Sequence, residues 1–148
     1  MEPRTILLVE DSDNDAELAR AAFSRSQVPH RLVVVEDGEE ALDHLLGRGA
    51  HDGAPPARPD LVLLDLKLPG LDGFEVLRRI RAERATATLS VVVFTSSVEE
   101  RDVARSYRLG ANSYVRKPID FDDFLPLARK LADYWLGINQ PPLRDAET

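Results

Sequence analysis

Residues 61–70 read LVLLDLKLPG, and this stretch decides the fold of the chain. Its first four residues are apolar without a break, which is typical of a strand buried on both faces of a parallel sheet. A carboxylate, Asp65, follows at once, and Pro69 and Gly70 then predict a turn. The stretch therefore predicts a buried strand that brings one acidic side chain to its carboxyl end.

Four other apolar runs of the same kind occur along the chain, each rich in Val, Ile or Leu and bounded by polar residues. They lie at 6–9, 32–35, 91–94 and, more weakly, 113–115. Stretches with apolar residues at helical spacing follow the runs, at 14–25, 39–46, 73–83, 98–109 and 121–136. Because strand and helix alternate five times, we expect an α/β domain with a doubly wound, five-stranded parallel sheet.

Two segments depart from this alternation. Residues 47–59 contain three Gly and three Pro, which predicts a surface loop. Beyond Trp135, Gly137 and then Pro141 and Pro142 predict the end of the last helix. We expect one domain over 4–136 and a short tail over 137–148.

The composition excludes several classes of protein. A net charge of -7 argues against non-specific nucleic-acid binding, and the absence of cysteine excludes disulfides and thiolate chemistry. No apolar stretch approaches the roughly 20 residues of a membrane span. Since the amino terminus lacks the pattern of a signal peptide, we expect a cytoplasmic protein that binds neither nucleic acid nor membrane.

Polar side chains that can bind a ligand or take part in a reaction follow four of the predicted strands. Glu10 and Asp11 follow the first strand, Asp65 the third, Thr95 the fourth and Lys117 the fifth. In doubly wound sheets, ligands bind beyond the carboxyl ends of the strands, at the point where the strand order reverses. These five side chains are therefore expected to form one site.

The residue types at this site suit phosphoryl transfer. Three carboxylates in one place repel each other unless a cation offsets their charge, and Mg²⁺ prefers oxygen ligands of this kind. A lysine and a threonine hydroxyl can bind phosphoryl oxygens, and a carboxylate can itself be the nucleophile and form an acyl phosphate. Asp65, on the central third strand, is the best candidate for that nucleophile.

The order and spacing of these residues resemble the receiver domain of two-component response regulators, over nearly all of 4–136. The matching motifs are the acidic pair Glu10 and Asp11, Asp65 with the loop that follows it to Gly73, Thr95, and the segment that carries Tyr114 and Lys117. The resemblance implies a flavodoxin-like (β/α)5 fold.

The resemblance also implies a mechanism. A sensor histidine kinase would supply the phosphoryl group to Asp65, so the chain would be a signalling phosphoprotein that promotes its own phosphorylation and slow dephosphorylation rather than an enzyme. Mg²⁺, or Mn²⁺, would be held by Asp11, Asp65 and the backbone carbonyl of Lys67, with Glu10 acting mainly through water.

Further implications concern the residues around the phosphorylation site. Thr95 would move toward the phosphoryl group, and the switch residue Tyr114 would rotate into the vacated space. The bond between Lys117 and Pro118 would be cis. The Lys67 side chain would pair with the acidic cluster or shield the acyl phosphate from water, or it would be an exposed loop lysine.

The residues at the site argue against two other functional classes. Aspartyl-phosphate hydrolases of the haloacid dehalogenase type carry a second acid two residues after the nucleophile, where this chain has Lys67. A phosphorylation-independent binding module is disfavoured by the complete set of acids together with Thr95, Tyr114 and Lys117. Within the receiver interpretation, a phosphorelay intermediate and a phosphate sink stay open as alternatives to a terminal regulator.

The partners are less closely defined by the sequence. No effector domain accompanies the receiver in this sequence, so we expect the output to come from the surface of the receiver itself. The loop at 47–59 and the tail resemble stand-alone regulators that work with phytochrome-type histidine kinases, which makes a bacteriophytochrome the expected partner. A second apolar stripe formed by Leu127, Tyr134 and Ile138, with Leu143, favours a homodimer over a tail that folds back on its own subunit.

Overall fold

The computed structural model describes residues 3–49 and 58–142, and within these ranges strand and helix alternate as predicted. The strands are β1 Arg4–Val9, β2 His30–Val35, β3 Leu61–Leu64, β4 Val91–Thr95 and β5 Ser113–Arg116. The helices are α1 Asp13–Ser24, α2 Gly38–Leu46, α3 Gly73–Ala82, α4 Glu100–Arg108 and α5 Phe121–Ala132.

The strands form one parallel sheet in the order β2-β1-β3-β4-β5. Val9, at the end of β1, lies opposite Val35 of β2 on one side and Leu64 of β3 on the other. The chain moves outward from β1 in one direction to β2 and in the other direction to β3, β4 and β5. The predicted doubly wound, flavodoxin-like architecture is confirmed, with its switch point between β1 and β3.

Both faces of the sheet are covered by helices, which explains the unbroken apolar runs. Along β1, Ile6 and Leu8 pack in a core with residues of α1 and α5, whereas Leu7 and Val9 pack in a second core with residues of α2 and α3. Every residue of β3 is buried. A strand with a polar face could not occupy these central positions, because its polar side chains would be removed from water.

The helix ends follow the sequence signals closely near the site. Ser12 caps α1, and its hydroxyl accepts a hydrogen bond from Asp15 N at 3.2 Å. Asp72 caps α3 in the same way through Glu75 N at 2.9 Å. Both caps fix the first turn of a helix that begins beside the carboxyl edge of the sheet.

The end of α5 differs from the prediction. A π-helical turn, Asp133–Ile138, continues the helix, and Asn139 N donates a hydrogen bond to Tyr134 O, five residues earlier. Gly137 therefore lies inside the helical path instead of ending it. The wider i to i+5 hydrogen bonds of this turn carry the chain past the glycine, and the path ends at Ile138.

The second apolar stripe is present only in part. Leu127 is half-buried against the core, while Tyr134 and Ile138 are 47% and 72% exposed. Leu143 and most of the predicted loop at 47–59 lie outside the described residues. Within the ranges that the structure covers, no helix has the length and apolar character needed to cross a membrane.

Candidate functional site

Hydrogen bonds of the sheet continue past the strand ends and fix the backbone of the site. Three residues take part, one after each of β1, β3 and β5. The bonds run from Glu10 N to Val35 O (2.9 Å), from Asp65 N to Val9 O (3.2 Å) and from Lys117 N to Thr95 O (2.8 Å). The candidate side chains are therefore held by the same ladder that holds the sheet.

The predicted acidic cluster is assembled in the structure. Glu10, Asp11 and Asp65 each place a carboxylate oxygen within 4.8 Å of the others. Glu10 and Asp65 are buried, whereas Asp11 is exposed. A set of carboxylate oxygens that is open to water on one side fits Mg²⁺ or Mn²⁺, since such ions keep several water ligands.

Lys117 crosses the site and contacts three carboxylates. Its Nζ donates to Glu10, to Asp65 at 2.9 Å and to Asp15 at 3.1 Å. Burial alone would lower the pKa of Lys117, but the hydrogen bonds to Glu10 and Asp65 outweigh burial and raise that pKa. Lys117 is therefore charged at neutral pH.

Glu10 is the most strongly perturbed acid of the cluster. Burial raises the pKa of its carboxyl to about 7, although the hydrogen bond from Lys117 acts in the opposite direction. Its second oxygen accepts a hydrogen bond from Ser12 N at 3.2 Å. The carboxyl is thus fixed by both α1 and Lys117.

Thr95 brings a hydroxyl group to the site in an unusual state. The residue is fully buried, and its Oγ1 has no hydrogen-bond partner among the described residues. Buried polar groups are nearly always paired, so a buried hydroxyl that lacks a partner is a feature to explain. Thr95 is the last residue of β4, and β4 lies next to β3, which ends directly before Asp65.

Tyr114 is tied to the segment that follows Thr95. Its hydroxyl donates to Ser97 O at 3.0 Å, and its ring packs against the core. Ser97 in turn donates from Oγ to Asp102 Oδ2 of α4 at 2.7 Å. Tyr114 already occupies an inward position in this structure, and Ser97 links it to α4.

Lys67 contributes to the site through its backbone. Its N–H donates to Asp65 Oδ1 at 3.3 Å, while its exposed side chain forms no ion pair within the described part of the chain. The side chain therefore does not pair with the acidic cluster in this structure. The backbone carbonyl of Lys67 as a metal ligand stays a prediction.

Gly73 explains why the loop after Asp65 needs a residue without a side chain. A Cβ atom at this position would overlap the backbone oxygen of Asp65 and lie 2.6 Å from Leu66 Cα. Gly73 N also donates to Leu66 O at 3.0 Å. The start of α3 therefore packs directly against the backbone that carries the candidate nucleophile.

The isomer of the bond before Pro118 was predicted incorrectly. No peptide bond within residues 3–49 and 58–142 is cis, so the Lys117–Pro118 bond is trans. Trans is the more stable isomer of an X–Pro bond in the absence of a specific constraint.

Two residues of the site were missed at the level of the sequence. Asp15 contacts Lys117 across 102 positions, and Ser97 connects Tyr114 to α4. Asp15 stands four residues after Asp11 in the first turn of a helix that starts at the site, which is the signal that could have found it. Ser97 follows Thr95 by two residues and carries no comparable signal.

With this geometry in place, the comparisons with known proteins identify the class of the chain. Residues 6–129 match the family of the response regulator receiver domain. The chain belongs to this family, and it is a receiver domain of a two-component system.

Individual relatives are similar over nearly the whole chain. The chain is 40% identical over 141 residues to a probable methanogenesis regulatory protein, FilR2, of Methanothrix harundinacea, covering 95% of this chain and 89% of the relative. It is 38% identical over 134 residues to the response regulator Rcp1 of Synechocystis, covering 90% of each.

Solved structures give the same assignment. The phosphorylated cyanobacterial phytochrome response regulator RcpA matches with a TM-score of 0.88 and 37% identity, covering 95% of this chain and 99% of that chain. The Mn²⁺-bound form of Rcp1 matches with a TM-score of 0.85 and 37% identity, covering 95% and 100% of the two chains. The chain is therefore similar in sequence and in structure to phytochrome-associated regulators.

Proposed function

We propose that Asp65 accepts a phosphoryl group from the phosphohistidine of a sensor histidine kinase. The observation that carries the proposal is the combination of a buried Asp65 carboxylate, a lysine ammonium in contact with it and a buried threonine hydroxyl without a partner among the described residues. Each group has a separate use in phosphoryl transfer, and no structural role accounts for the unpaired hydroxyl.

The transfer proceeds by exchange of one bond for another. A carboxylate oxygen of Asp65 forms a bond to phosphorus while the bond between phosphorus and the histidine nitrogen breaks, and the released imidazole takes up a proton from solvent. Lys117 Nζ and the Thr95 hydroxyl donate hydrogen bonds to phosphoryl oxygens. Catalysis is mainly the positioning of these donors.

A divalent cation completes the site. Mg²⁺ or Mn²⁺ held by Asp11, Asp65 and the backbone carbonyl of Lys67, with Glu10 acting mainly through water, would offset the charge that the carboxylates share with the phosphoryl oxygens. The carboxylate set fits such an ion, and the Mn²⁺-bound form of the similar protein Rcp1 supports this assignment.

The acceptor residue can be tested directly. The protein is incubated with Mg²⁺ and acetyl phosphate, and the intact mass is measured. We expect the mass of wild type to rise by one phosphoryl group and Asp65→Asn to remain unmodified. Equal modification of the two proteins would show that Asp65 is not the acceptor. Addition of EDTA to wild type is the control for the cation.

For the partner, we propose a phytochrome-type histidine kinase. The similarity to RcpA and Rcp1 over nearly the whole chain supports this choice. Phosphotransfer from each histidine kinase of the source organism, followed over short times, measures the preference. A phytochrome kinase that transfers no faster than the others would exclude this partner.

We also propose that signalling passes through the surface of the receiver itself.

We further propose that the chain forms a homodimer through the stripe of Leu127, Tyr134 and Ile138. The exposed fractions of Tyr134 and Ile138 support an interface there, since large apolar side chains next to each other favour a partner. The molar mass in solution is compared for wild type, Tyr134→Ala and a variant that lacks the tail 137–148, which includes Ile138. Tyr107→Ala, which removes an equally exposed tyrosine of α4, is the control. An unchanged mass in both test variants would exclude the stripe as an interface.

A further inference from the structure

The geometry points to Asp15 as a positioning residue that holds Lys117 in place while the cation and the phosphoryl group occupy the site. The inference rests on the proposed phosphoryl transfer to Asp65 and adds a residue to it. Its basis is the contact of 3.1 Å between Asp15 Oδ2 and Lys117 Nζ, which joins the first turn of α1 to the residue after β5.

The three carboxylates around Lys117 are not equivalent. Glu10 and Asp65 belong to the acidic cluster that fits a divalent cation, and Asp15 does not. The cation and the ammonium group therefore compete for the oxygens of Glu10 and Asp65. Among the carboxylates of the described residues that contact Lys117, Asp15 is the one outside the acidic cluster.

The backbone of Asp15 is held firmly enough for this task. Asp15 N donates to Ser12 Oγ in the cap of α1, and Ser12 N donates to Glu10 Oε2 at 3.2 Å. The first turn of α1 is thus connected to the site through Ser12, which contacts Glu10, and through Asp15, which contacts Lys117. The Asp15 side chain is 41% exposed, so its contact with Lys117 does not require full removal of the carboxylate from water.

A lysine ammonium has three donors, and each of the three carboxylates accepts one of them. A cation that interacts with the carboxylates of Glu10 and Asp65 would weaken the hydrogen bonds from Lys117 Nζ to these two residues. Asp15 then keeps the long, flexible Lys117 side chain near Asp65, where Nζ must meet the incoming phosphoryl oxygen. The effect of Asp15 is expected only when the cation is bound.

The first experiment compares Asp15→Asn with Asp13→Asn. Asp13 lies in the same turn of α1, is exposed and has no contact with Lys117 in the described structure, so its variant removes the same charge near the helix start. At saturating Mg²⁺, we expect Asp15→Asn to take phosphate from acetyl phosphate about fivefold more slowly than Asp13→Asn, equal to about 1 kcal/mol. Equal rates would overturn the inference. A weaker Mg²⁺ affinity with an unchanged rate at saturation would also overturn it.

A second measurement observes Lys117 without any phosphoryl transfer. The chain has three lysines, and Lys67 and Lys130 are exposed, so Lys67→Arg with Lys130→Arg leaves Lys117 as the single lysine. In protein labelled with ¹⁵N at lysine Nζ, we expect the ammonium signal to persist on addition of Mg²⁺ in wild type and to be lost in Asp15→Asn. A signal that persists equally in both proteins would contradict the inference.

The two proposals fail in different ways. If wild type takes no phosphate from acetyl phosphate, or if Asp65→Asn takes as much, the proposed function is wrong, while the ammonium signal still tests the contact of Asp15 with Lys117. If wild type is phosphorylated on Asp65 and Asp15→Asn behaves as Asp13→Asn does, only the role of Asp15 is wrong.

Discussion

The Thr95 hydroxyl lowers the stability of the folded protein, because it is fully buried and has no partner among the described residues. A buried hydroxyl without a hydrogen bond costs about 1–3 kcal/mol. Thr95→Val keeps the branched shape of the side chain and should raise the free energy of unfolding by about 1 kcal/mol, while phosphorylation by acetyl phosphate slows. Urea unfolding and intact-mass kinetics measure the two effects.

A second substitution at Thr95 separates shape from chemistry. Thr95→Ser keeps the hydroxyl and removes one buried methyl group, which costs about 1 kcal/mol. We expect this variant to be less stable than wild type but to be phosphorylated at a similar rate. If Thr95→Val is the less stable of the two, the hydroxyl has a structural partner in the folded protein.

Glu10 makes the stability of the metal-free protein depend on pH. Burial raises the pKa of its carboxyl from 4.5 to about 7, so the folded state binds a proton more tightly than the unfolded state. This contribution to stability is complete below pH 4.5 and is lost as the pH rises through about 7. A shift of this size corresponds to a loss of up to about 3 kcal/mol.

The Glu10→Gln variant tests this dependence, since glutamine resembles the protonated acid at every pH. In EDTA, the free energy of unfolding of wild type relative to Glu10→Gln should fall between pH 4.5 and pH 8. A difference that stays constant over this range would mean that the Glu10 carboxyl is ionised throughout. Mg²⁺ should reduce the pH dependence, because a cation favours the ionised carboxylate.

The same residues show how far the sequence predicts the site. Glu10, Asp65, Thr95 and Lys117 were predictable because each lies at or directly after the carboxyl end of a strand, and parallel strands bring these ends to one edge. Asp15 was not, because it reaches Lys117 from a helix. Its spacing from Asp11 places it near the site, but its contact with Lys117 depends on how α1 packs against α5 in the assembled fold.

Among the elements, the start of α3 packs directly against the backbone of the candidate nucleophile, Asp65. Alanine favours helix formation over glycine, so propensity alone predicts that Gly73→Ala stabilises the protein. A Cβ atom at this position would instead overlap the backbone oxygen of Asp65. We expect Gly73→Ala to lower the free energy of unfolding by about 1–3 kcal/mol and to slow phosphorylation, as measured by urea unfolding and intact mass.

Gly137→Ala is the matched control for this prediction. Gly137 also lies in a helical segment, and a Cβ atom there would meet nothing within 4 Å. We expect this variant to be at least as stable as wild type and to be phosphorylated normally. A similar loss of stability in both variants would mean that the close contact with Asp65 is not the cause.

Local caps make the starts of two helices near the site predictable. Ser12 and Asp72 cap helices through their own side chains, so the sequence indicates where α1 and α3 begin. The π-helical turn after α5 depends on how Trp135 and Leu136 pack against the core, which is a property of the assembled fold.

For the whole molecule, the doubly wound fold class was predictable because unbroken apolar runs require helices on both faces of the sheet. The charge balance at the carboxyl edge of the sheet was only partly predictable. The sequence predicts repulsion among Glu10, Asp11 and Asp65, whereas the structure adds the ammonium group of Lys117 between two of them. Asp11 alone of the three acids forms no hydrogen bond or ion pair in the described residues.

Because Asp65 contacts Lys117 and Asp11 does not, substitutions of these two acids should affect stability differently. Without metal, Asp11→Asn removes a repulsive charge and no attractive contact, so the melting temperature should rise by about 2–4 °C. Asp65→Asn also relieves repulsion, but it loses the charged contacts of its carboxylate with Lys117 Nζ at 2.9 Å and Lys67 N at 3.3 Å. Its melting temperature should rise less or not at all.

Addition of Mg²⁺ should reverse the order of the proteins. A ligand that binds only the folded state stabilises it in proportion to the logarithm of its concentration above Kd, so wild type gains stability and Asp11→Asn, which lacks one ligand, gains little. Thermal unfolding in EDTA and across a Mg²⁺ titration measures both effects, with Asp13→Asn as the control for the loss of an exposed charge. A melting temperature of Asp11→Asn below that of wild type in EDTA would mean that Asp11 stabilises the metal-free fold and that repulsion at this edge is already offset by Lys117.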